Sequence, residues 1–335
     1  MNRVAERLNI KYPFIQGPMS WLTNAEFVAA VSNAGGLGIL GPNAGQTTVT
    51  SDPRETAERM RTEIKKVQQL TDKPFGVTLI GSNGPDSSVF TLSILKVVIE
   101  EHVPVALINT VGAMGDGKAG IEPDLIKPLK EHNIKMVVRS WQPSIEDAKA
   151  VEAQGADVYV ATGFDEGGTL PKDVLGSFSI IPMISDAVDI PVMLAGGISD
   201  ARTAKAAFAL GAEGVYVGSR LIPTFENPAA QVTKDVIVHS TAEDLKLFRV
   251  NPAYYRSLPT ELRKQLVKND QTQSEAEVRQ SNAALMGGTS GMRIGMLEGD
   301  FEHGYVSVGT GISVIHEIQS VKDVIDEMMV GNEFN

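Results

Sequence analysis

The amino-acid sequence predicts an α/β fold, a (β/α)8 TIM barrel with a helical insertion after its eighth strand. Three observations carry that expectation. Short apolar runs of strand length alternate with capped, helix-periodic segments from residue 12 to residue 220. Helix-to-strand joints are tight (Gly35-Gly36, Thr71-Asp72-Lys73, Gly155-Ala156, Gly211-Ala212), whereas strand-to-helix joints are long and glycine-bearing (Gly41 to Ser51, Gly81 to Ser88, Thr110 to Glu122, Thr162 to Gly176). A barrel that keeps its chemistry at the C-terminal ends of its strands has this asymmetry. Finally, Gly155-Ala156-Asp157-Val158-Tyr159-Val160 is echoed by Gly211-Ala212-Glu213-Gly214-Val215-Tyr216-Val217, as repeated βα units would be.

Tyr12 to Gln16 reads as strand one and leads into Gly17-Pro18-Met19-Ser20-Trp21. Thr23 with Glu26 forms a capping-box pattern, and Phe27, Val28 and Val31 give the following helix its core face. Gly35-Gly36 ends that helix and Leu37 to Leu40 is strand two. The Gly-Gly-Leu-Gly run here follows a helix and precedes a strand, the reverse of a dinucleotide fingerprint. Asp52 and Pro53 start a helix that runs to about Leu70. Strands three to six follow at Pro74 to Ile80, Val103 to Asn109, Ile134 to Val138 and Asp157 to Ala161, with Ser144 and Asp147 capping the helix before the last.

Val192 to Ala195, strand seven, ends on Gly196-Gly197, where a backbone can approach a ligand that any Cβ would strike. Ser199 or Asp200 caps the next helix, Gly211 closes it, and strand eight, Gly214 to Val217, ends on Gly218-Ser219. Two adjacent parallel strands ending in glycine N–H groups are the phosphate site of this barrel class, here built from Gly196, Gly197, Gly218 and Ser219. Helix starts at Asn227-Pro228, Thr241 with Asp244 and Ser274 with Glu277 mark residues from about 225 to 285 as a helical insertion, either a lid or a dimerisation surface. A Gly-rich, Met-containing stretch without clear periodicity then spans Met286 to Gly311, and Ser320 with Asp323 caps a last helix. The expected organisation is a barrel of residues 1–224 and 305–335 with an insertion at 225–304.

Composition bounds the function. A chain of 335 residues with net charge −11 attracts neither nucleic acid nor an anionic membrane. The absence of cysteine excludes disulfides, thiolate catalysis and Cys-ligated zinc. No apolar run spans a bilayer and the N-terminus lacks a signal-peptide core, so a cytoplasmic protein with a small-molecule substrate is expected, with homo-oligomerisation open. None of the five histidines sits in a metal-ligand pattern, so no metal is expected. His239 in the insertion and His303 in the Gly-rich stretch are the two placed to reach the open face.

Pro13-Phe14-Ile15-Gln16-Gly17-Pro18-Met19, Asn33-Ala34-Gly35-Gly36-Leu37-Gly38, Ala195-Gly196-Gly197-Ile198, Gly218-Ser219-Arg220 and Ser307-Val308-Gly309-Thr310-Gly311 together resemble the nitronate monooxygenase (2-nitropropane dioxygenase) family. Its relatives include flavin-dependent NAD(P)H:quinone reductases and flavin-type enoyl-acyl-carrier-protein reductases. The resemblance implies FMN, with NAD(P)H as a candidate co-substrate. It places the FMN phosphate on Gly196, Gly197, Gly218 and Ser219, and Pro18, Met19 and Ser20 along the isoalloxazine. It adds Thr78, Gly168 and Thr310 as further cofactor contacts.

The departures from the family pattern are as informative. The family's Gly-x-Glu-Ala-Gly-Gly-His stretch reads Gly163-Phe164-Asp165-Glu166-Gly167-Gly168-Thr169 here, so Thr169 stands at the catalytic histidine position. A threonine hydroxyl can donate or accept a hydrogen bond but is no base near neutral pH. Thr169, Asp165 and Glu166 are the candidate catalytic residues, with Asp165 and Glu166 equally readable as a solvated loop pair. A lysine found after strand five in some members corresponds to Trp141, and Thr310 replaces a flavin-contacting glutamine. The expected activity is FMN-dependent oxidoreduction of the nitronate monooxygenase type, with NAD(P)H:quinone or enoyl-thioester reduction as alternatives. A flavin-free phosphosugar enzyme and a silent FMN-binding protein are the readings from other classes. Glu166 is expected to repel an anionic nitronate unless a cation stands nearby.

Overall fold

A computed structural model describes residues 2–80, 85–110, 119–250, 254–288 and 290–331. Parts of the loops expected at Gly81 to Ser88 and Thr110 to Glu122 lie outside the described residues. One sheet contains eight parallel strands: β1 (Phe14–Gln16), β2 (Gly38–Leu40), β3 (Phe75–Leu79), β4 (Val105–Asn109), β5 (Lys135–Ser140), β6 (Val158–Thr162), β8 (Val192–Ala195) and β9 (Gly214–Val217). Their order is β1-β9-β8-β6-β5-β4-β3-β2. The two ends of that order meet through a parallel bridge between Ile15 and Leu37. Leu37 N–H donates to the Phe14 carbonyl at 2.8 Å and Gln16 N–H to the Leu37 carbonyl at 3.0 Å, so the sheet closes as a barrel.

Period-two alternation divides each strand between an outer and an inner core. In β5, Met136 and Val138 pack outward with the helices, while Val137 packs inward with Ile15, Ile39, Leu107, Val160 and Met193. The outer layer is α2 (Ala25–Asn33), α3 (Pro53–Leu70), α4 (Pro85–Glu100), α5 (Pro123–Glu131), α6 (Ile145–Ala153), α7 (Ser177–Ser185) and α8 (Ala201–Ala209), completed by α13 (Val321–Met329). Val321, Val324, Ile325 and Met328 of α13 join the same outer core. α1 (Arg3–Leu8) puts Val4 and Leu8 into the inner core at the N-terminal end of the barrel, where Asn2 donates to the Glu213 carbonyl at 2.8 Å.

Asp52, Ser144, Asp200 and Ser320 cap their helices as the sequence predicts. The cap of α2 differs. Asn24, not Thr23, accepts the Phe27 N–H, at 2.9 Å, and the Thr23 hydroxyl accepts the Gly41 N–H at 2.9 Å. Both side chains are good caps, and the one adjacent to the helix reaches its third N–H while Thr23 ties the turn to the loop after β2.

The insertion holds α9 (Gln231–Val238), α10 (Glu261–Thr272), α11 (Glu275–Met286) and α12 (Ser290–Met292), the last continuing into a π turn at Arg293–Leu297. The Gly-rich stretch after Met286 is thus partly helical. The insertion also contains a hairpin that the helix signals did not predict, β10 (Lys246–Arg249) and β11 (Tyr254–Ser257). β11 pairs antiparallel with β7 (Gly168–Leu170), a short strand in the loop after β6, placing Tyr255 opposite Thr169 and Arg256 opposite Gly168. Strands of three or four residues carry too little periodicity to be read alone and depend on their pairing partner.

Candidate active site

At the C-terminal end of the barrel the inward positions turn polar. Continuing the alternation, Thr78 of β3, Asn109 of β4 and Arg139 of β5 stand one layer above the apolar inner core, and Thr162 of β6, at the same end, lines a small separate pocket with Ile180 of α7. All four are largely buried, and Thr78 Oγ1, Asn109 Oδ1, Arg139 Nε and Thr162 Oγ1 have no hydrogen-bond partner among the described residues. Gln16 Nε2, Trp141 Nε1 and Glu166 Oε1 share that condition. Buried polar groups in native folds are mostly paired, and three of these seven, on Arg139, Trp141 and Glu166, belong to residues that line a single cavity.

A cavity of about 430 Å³ opens over this layer. Its floor and one wall are made of glycine-bearing segments: Gly17 to Ser20, Gly167 to Thr169, Ala195 to Ser199, Gly218-Ser219, and Gly309 with Gly311. Gly196 and Gly197 have φ of 103° and 77°, a conformation that disfavours any side chain. A Cβ on Gly196 would stand 2.9 Å from the Gly163 carbonyl oxygen, whereas one on Gly218 would meet no atom within 4 Å and would enter the cavity. The Ser219 hydroxyl accepts the Gly309 N–H at 2.8 Å, drawing the closing segment onto the end of β9. The lining also includes apolar side chains that come largely from the insertion: Val250, Ala283, Met286, Met292, Met296 and Tyr305.

Of the predicted site residues, Pro18, Met19, Ser20, Glu166, Gly168, Thr169, Gly196, Gly197, Gly218 and Ser219 all line this one cavity. Trp21, fully buried at φ 68° beneath the Arg293 guanidinium, anchors the loop that presents Pro18 to Ser20. Thr78, Asp165 and Thr310 do not line the cavity. Thr78 lies in the polar layer described above. Asp165 is structural in its contacts: its carboxylate accepts the Ser177 N–H at 2.7 Å, and its carbonyl accepts the Thr310 N–H at 3.0 Å and hydroxyl at 3.2 Å. These bonds tie the loop after β6 to the start of α7 and to the closing segment.

Glu166 behaves differently from its neighbour. Its side chain is nine-tenths buried and paired with the Arg139 guanidinium through Oε2. Burial pushes its carboxyl up to about 7, a rise that the Arg139 charge and hydrogen bond and the more distant Arg256 charge only partly oppose. A carboxyl in that range can hold or release a proton near neutral pH. The expected repulsion of anions by Glu166 is corrected by these two cations. Arg139 also lies 5.6 Å from the ring centroids of both Trp141 and Tyr216, and burial pushes the Tyr216 hydroxyl up to about 12. Arg256, from β11, donates to the carbonyls of Phe164 (2.8 Å) and Glu166 and stacks over the Phe164 ring, fixing the loop that carries Glu166.

Sequence reasoning missed Arg139 and Arg256. A lone charge in the run Met136-Val137-Val138-Arg139, at an inward position, was the available signal for the first. Nothing in the sequence marks Arg256, because its partners are some 90 residues away. The two histidines placed to reach the open face do not: His239 and His303 are exposed and bonded locally to the Asp235 carbonyl and the Asp300 carboxylate. Among the described residues no group of three or more His, Asp or Glu side chains is arranged to hold a metal, and no helix is long and apolar enough to cross a membrane.

Comparison with known proteins gives a consistent result. The family model described as nitronate monooxygenase matches residues 2–331. A probable nitronate monooxygenase of Staphylococcus aureus (strain MSSA476) is 32% identical over 284 residues, covering 72% of this chain and 74% of that protein. The structure of FabK from Thermotoga maritima superposes with a TM-score of 0.81 at 32% identity, covering 98% of this chain and 94% of FabK. Nitroalkane oxidase from Streptomyces ansochromogenes shares the fold, with a TM-score of 0.75 at 22% identity over 97% of this chain and 96% of its own.

Proposed function

The chain belongs to the nitronate monooxygenase family, FMN-dependent oxidoreductases that include FabK-like reductases, and within it we propose a reductase that passes electrons from NAD(P)H through FMN to a neutral, largely apolar acceptor such as a quinone. The observation that carries this reading is the make-up of the cavity lining. It joins glycine-bearing backbone segments to methionine and tyrosine side chains, and its charged residues are confined to the Arg139–Glu166 pair.

The residues present fit FMN. Gly196, Gly197, Gly218 and Ser219 would hold the phosphate, since backbone N–H groups at glycine-bearing strand ends bind anions without a lysine. Pro18, Met19, Ser20 and Gly168 would flank the ring. Thr78 and Asn109, in the polar layer at the strand ends, would satisfy its polar edge, which needs donors and acceptors together. Thr310 would act at one remove, through Asp165 and the closing segment. Bound FMN supplies a two-electron carrier that accepts hydride from a nicotinamide. The chain's own part is to position that carrier, to exclude water with Met286, Met292 and Met296, and to supply protons.

Thr169 argues against neutral nitroalkanes as substrates, because their oxidation begins with loss of a carbon-bound proton to a base. A second reading, oxidation of preformed nitronates, is favoured by Arg139, whose charge lines the cavity and can balance an anion. Anaerobic mixing of the flavin-loaded protein with NADH, NADPH and a nitronate in turn tests both. Bleaching of the flavin band by a nicotinamide, followed by re-oxidation with a quinone, is expected. Bleaching by the nitronate alone would move the assignment to the second reading, and a protein that purifies colourless and takes up no FMN refutes both.

A further inference from the structure

We propose that Glu166 is the proton donor to the acceptor's reacting oxygen, with Arg139 as its positioning residue, and that this pair stands in for the histidine absent at position 169. The inference rests on the reductase reading above and adds the residue that handles the proton.

In the stretch Gly163 to Thr169, Glu166 occupies the place where the family pattern has alanine, three residues before the lost histidine. It lines the same cavity as Thr169, and its Oε1 is buried with no partner among the described residues. Oε2 is held by Arg139, so the side chain is fixed by one oxygen and the other is left buried without a partner beside the cavity. Trp141 Nε1 and Arg139 Nε, also buried and unpartnered, belong to residues lining the same cavity and are donors for an incoming carbonyl oxygen.

The groups facing Glu166 define its behaviour. They are Arg139 from β5, Tyr216 from β9 and Arg256 from β11, while Tyr255 of β11 and Tyr305 of the closing segment line the same cavity and Asp165 acts on Arg256. The tyrosines are held neutral by burial. The two arginines are therefore the charges that stabilise the carboxylate once the proton has left.

In the assigned step the Glu166 O–H bond breaks and an O–H bond forms on the acceptor's carbonyl oxygen. The carboxylate left behind pairs with Arg139 and recovers its proton from solvent. The hydride equivalent that completes the reduction comes from the reduced flavin, itself supplied by a nicotinamide. Donation needs the protonated form, so reduction must weaken as pH rises through about 7, whereas proton abstraction from a nitroalkane would strengthen.

The test compares flavin-loaded wild type with Glu166→Gln, Arg139→Met and Arg139→Lys. Infrared difference titration reads the protonated carboxyl directly, and kcat/KM for a neutral quinone is followed from pH 5 to 9. In wild type the carboxyl band should vanish near pH 7 together with kcat/KM. Glu166→Gln should lack both transitions and lose on the order of 10²- to 10⁴-fold at low pH. Arg139→Met should move both transitions upward, and Arg139→Lys should bring them back toward wild type. A Glu166→Gln protein that keeps the wild-type rate and pH break overturns the inference while leaving the reductase reading intact. An unmoved break in Arg139→Met overturns the role of Arg139. Failure of any nicotinamide to bleach the flavin defeats the underlying reading, and this inference with it.

Discussion

Glu166→Gln also makes a quantitative prediction about folding. The substitution keeps the shape of the side chain and removes its titration. In the fold the carboxyl titrates near 7, against a model-peptide value near 4.5 in the unfolded chain. Burial raises this acid, so its protonated form is the one the fold prefers. Its stabilising contribution is full below about 4.5 and is lost as pH climbs through about 7, because the folded state holds the proton longer than the unfolded one. Integrating the two titrations from pH 5 to pH 8 gives a loss on the order of 2–3 kcal/mol from this group alone. Arg139 stays ionised across the window in both proteins, so the altered partner is a constant offset that cancels in the comparison. Urea denaturation of the apoproteins at the two pH values, followed by far-ultraviolet circular dichroism, measures the double difference. Wild type should lose on the order of 2–3 kcal/mol more than Glu166→Gln. Parallel pH dependence in the two proteins would falsify the placement of Glu166 as a buried, proton-holding carboxyl.

Thr169→His should raise turnover of a neutral nitroalkane relative to a preformed nitronate, measured by steady-state kinetics on both; wild-type rates already equal on the two substrates would mean that another group acts as the base. Gly197→Asp should fold but purify with little or no flavin, read from the visible-to-ultraviolet absorbance ratio, since its Cβ would stand 3.2 Å from the Asp165 Cβ at φ 77° and its carboxylate would stand among the glycines proposed to hold the phosphate. Full occupancy in that variant would place the phosphate elsewhere. Arg256→Met leaves two loop carbonyls without their cationic donor and should cost about 2 kcal/mol in urea denaturation. It should also lower flavin content, whereas Arg256→Lys should recover part of both; unchanged stability in Arg256→Met would show that Phe164 and Glu166 are held by other contacts.

The barrel was legible because its signals are local. Val192 to Ala195 and Gly214 to Val217 are short apolar runs closed by glycine, and Asp52, Ser144, Asp200 and Ser320 announce helices by chemistry confined to a few residues. The glycine cradle was readable for the same reason, since the need for glycine at 196 and 197 is written in the backbone of one turn. Residue types also set what position 169 supplies, a threonine hydroxyl in place of an imidazole, whereas the exclusion of His239 and His303 from the site came from the fold.

What the sequence could not set is which distant groups meet, because burial and charge pairing are properties of the closed fold. The hairpin of β10 and β11 exists through its pairing with β7, and that pairing brings Arg256 across some 90 residues onto the loop of Glu166. Asp165 and Glu166 are adjacent acids of equal standing in the sequence. Only the tertiary structure separates them, turning Asp165 outward to bind Ser177 and Thr310 and burying Glu166 against Arg139. Desolvation by the assembled barrel and insertion then raises one carboxyl to about 7. The chain supplies the two acids, and the fold, by removing water from one of them, makes that one the candidate proton donor.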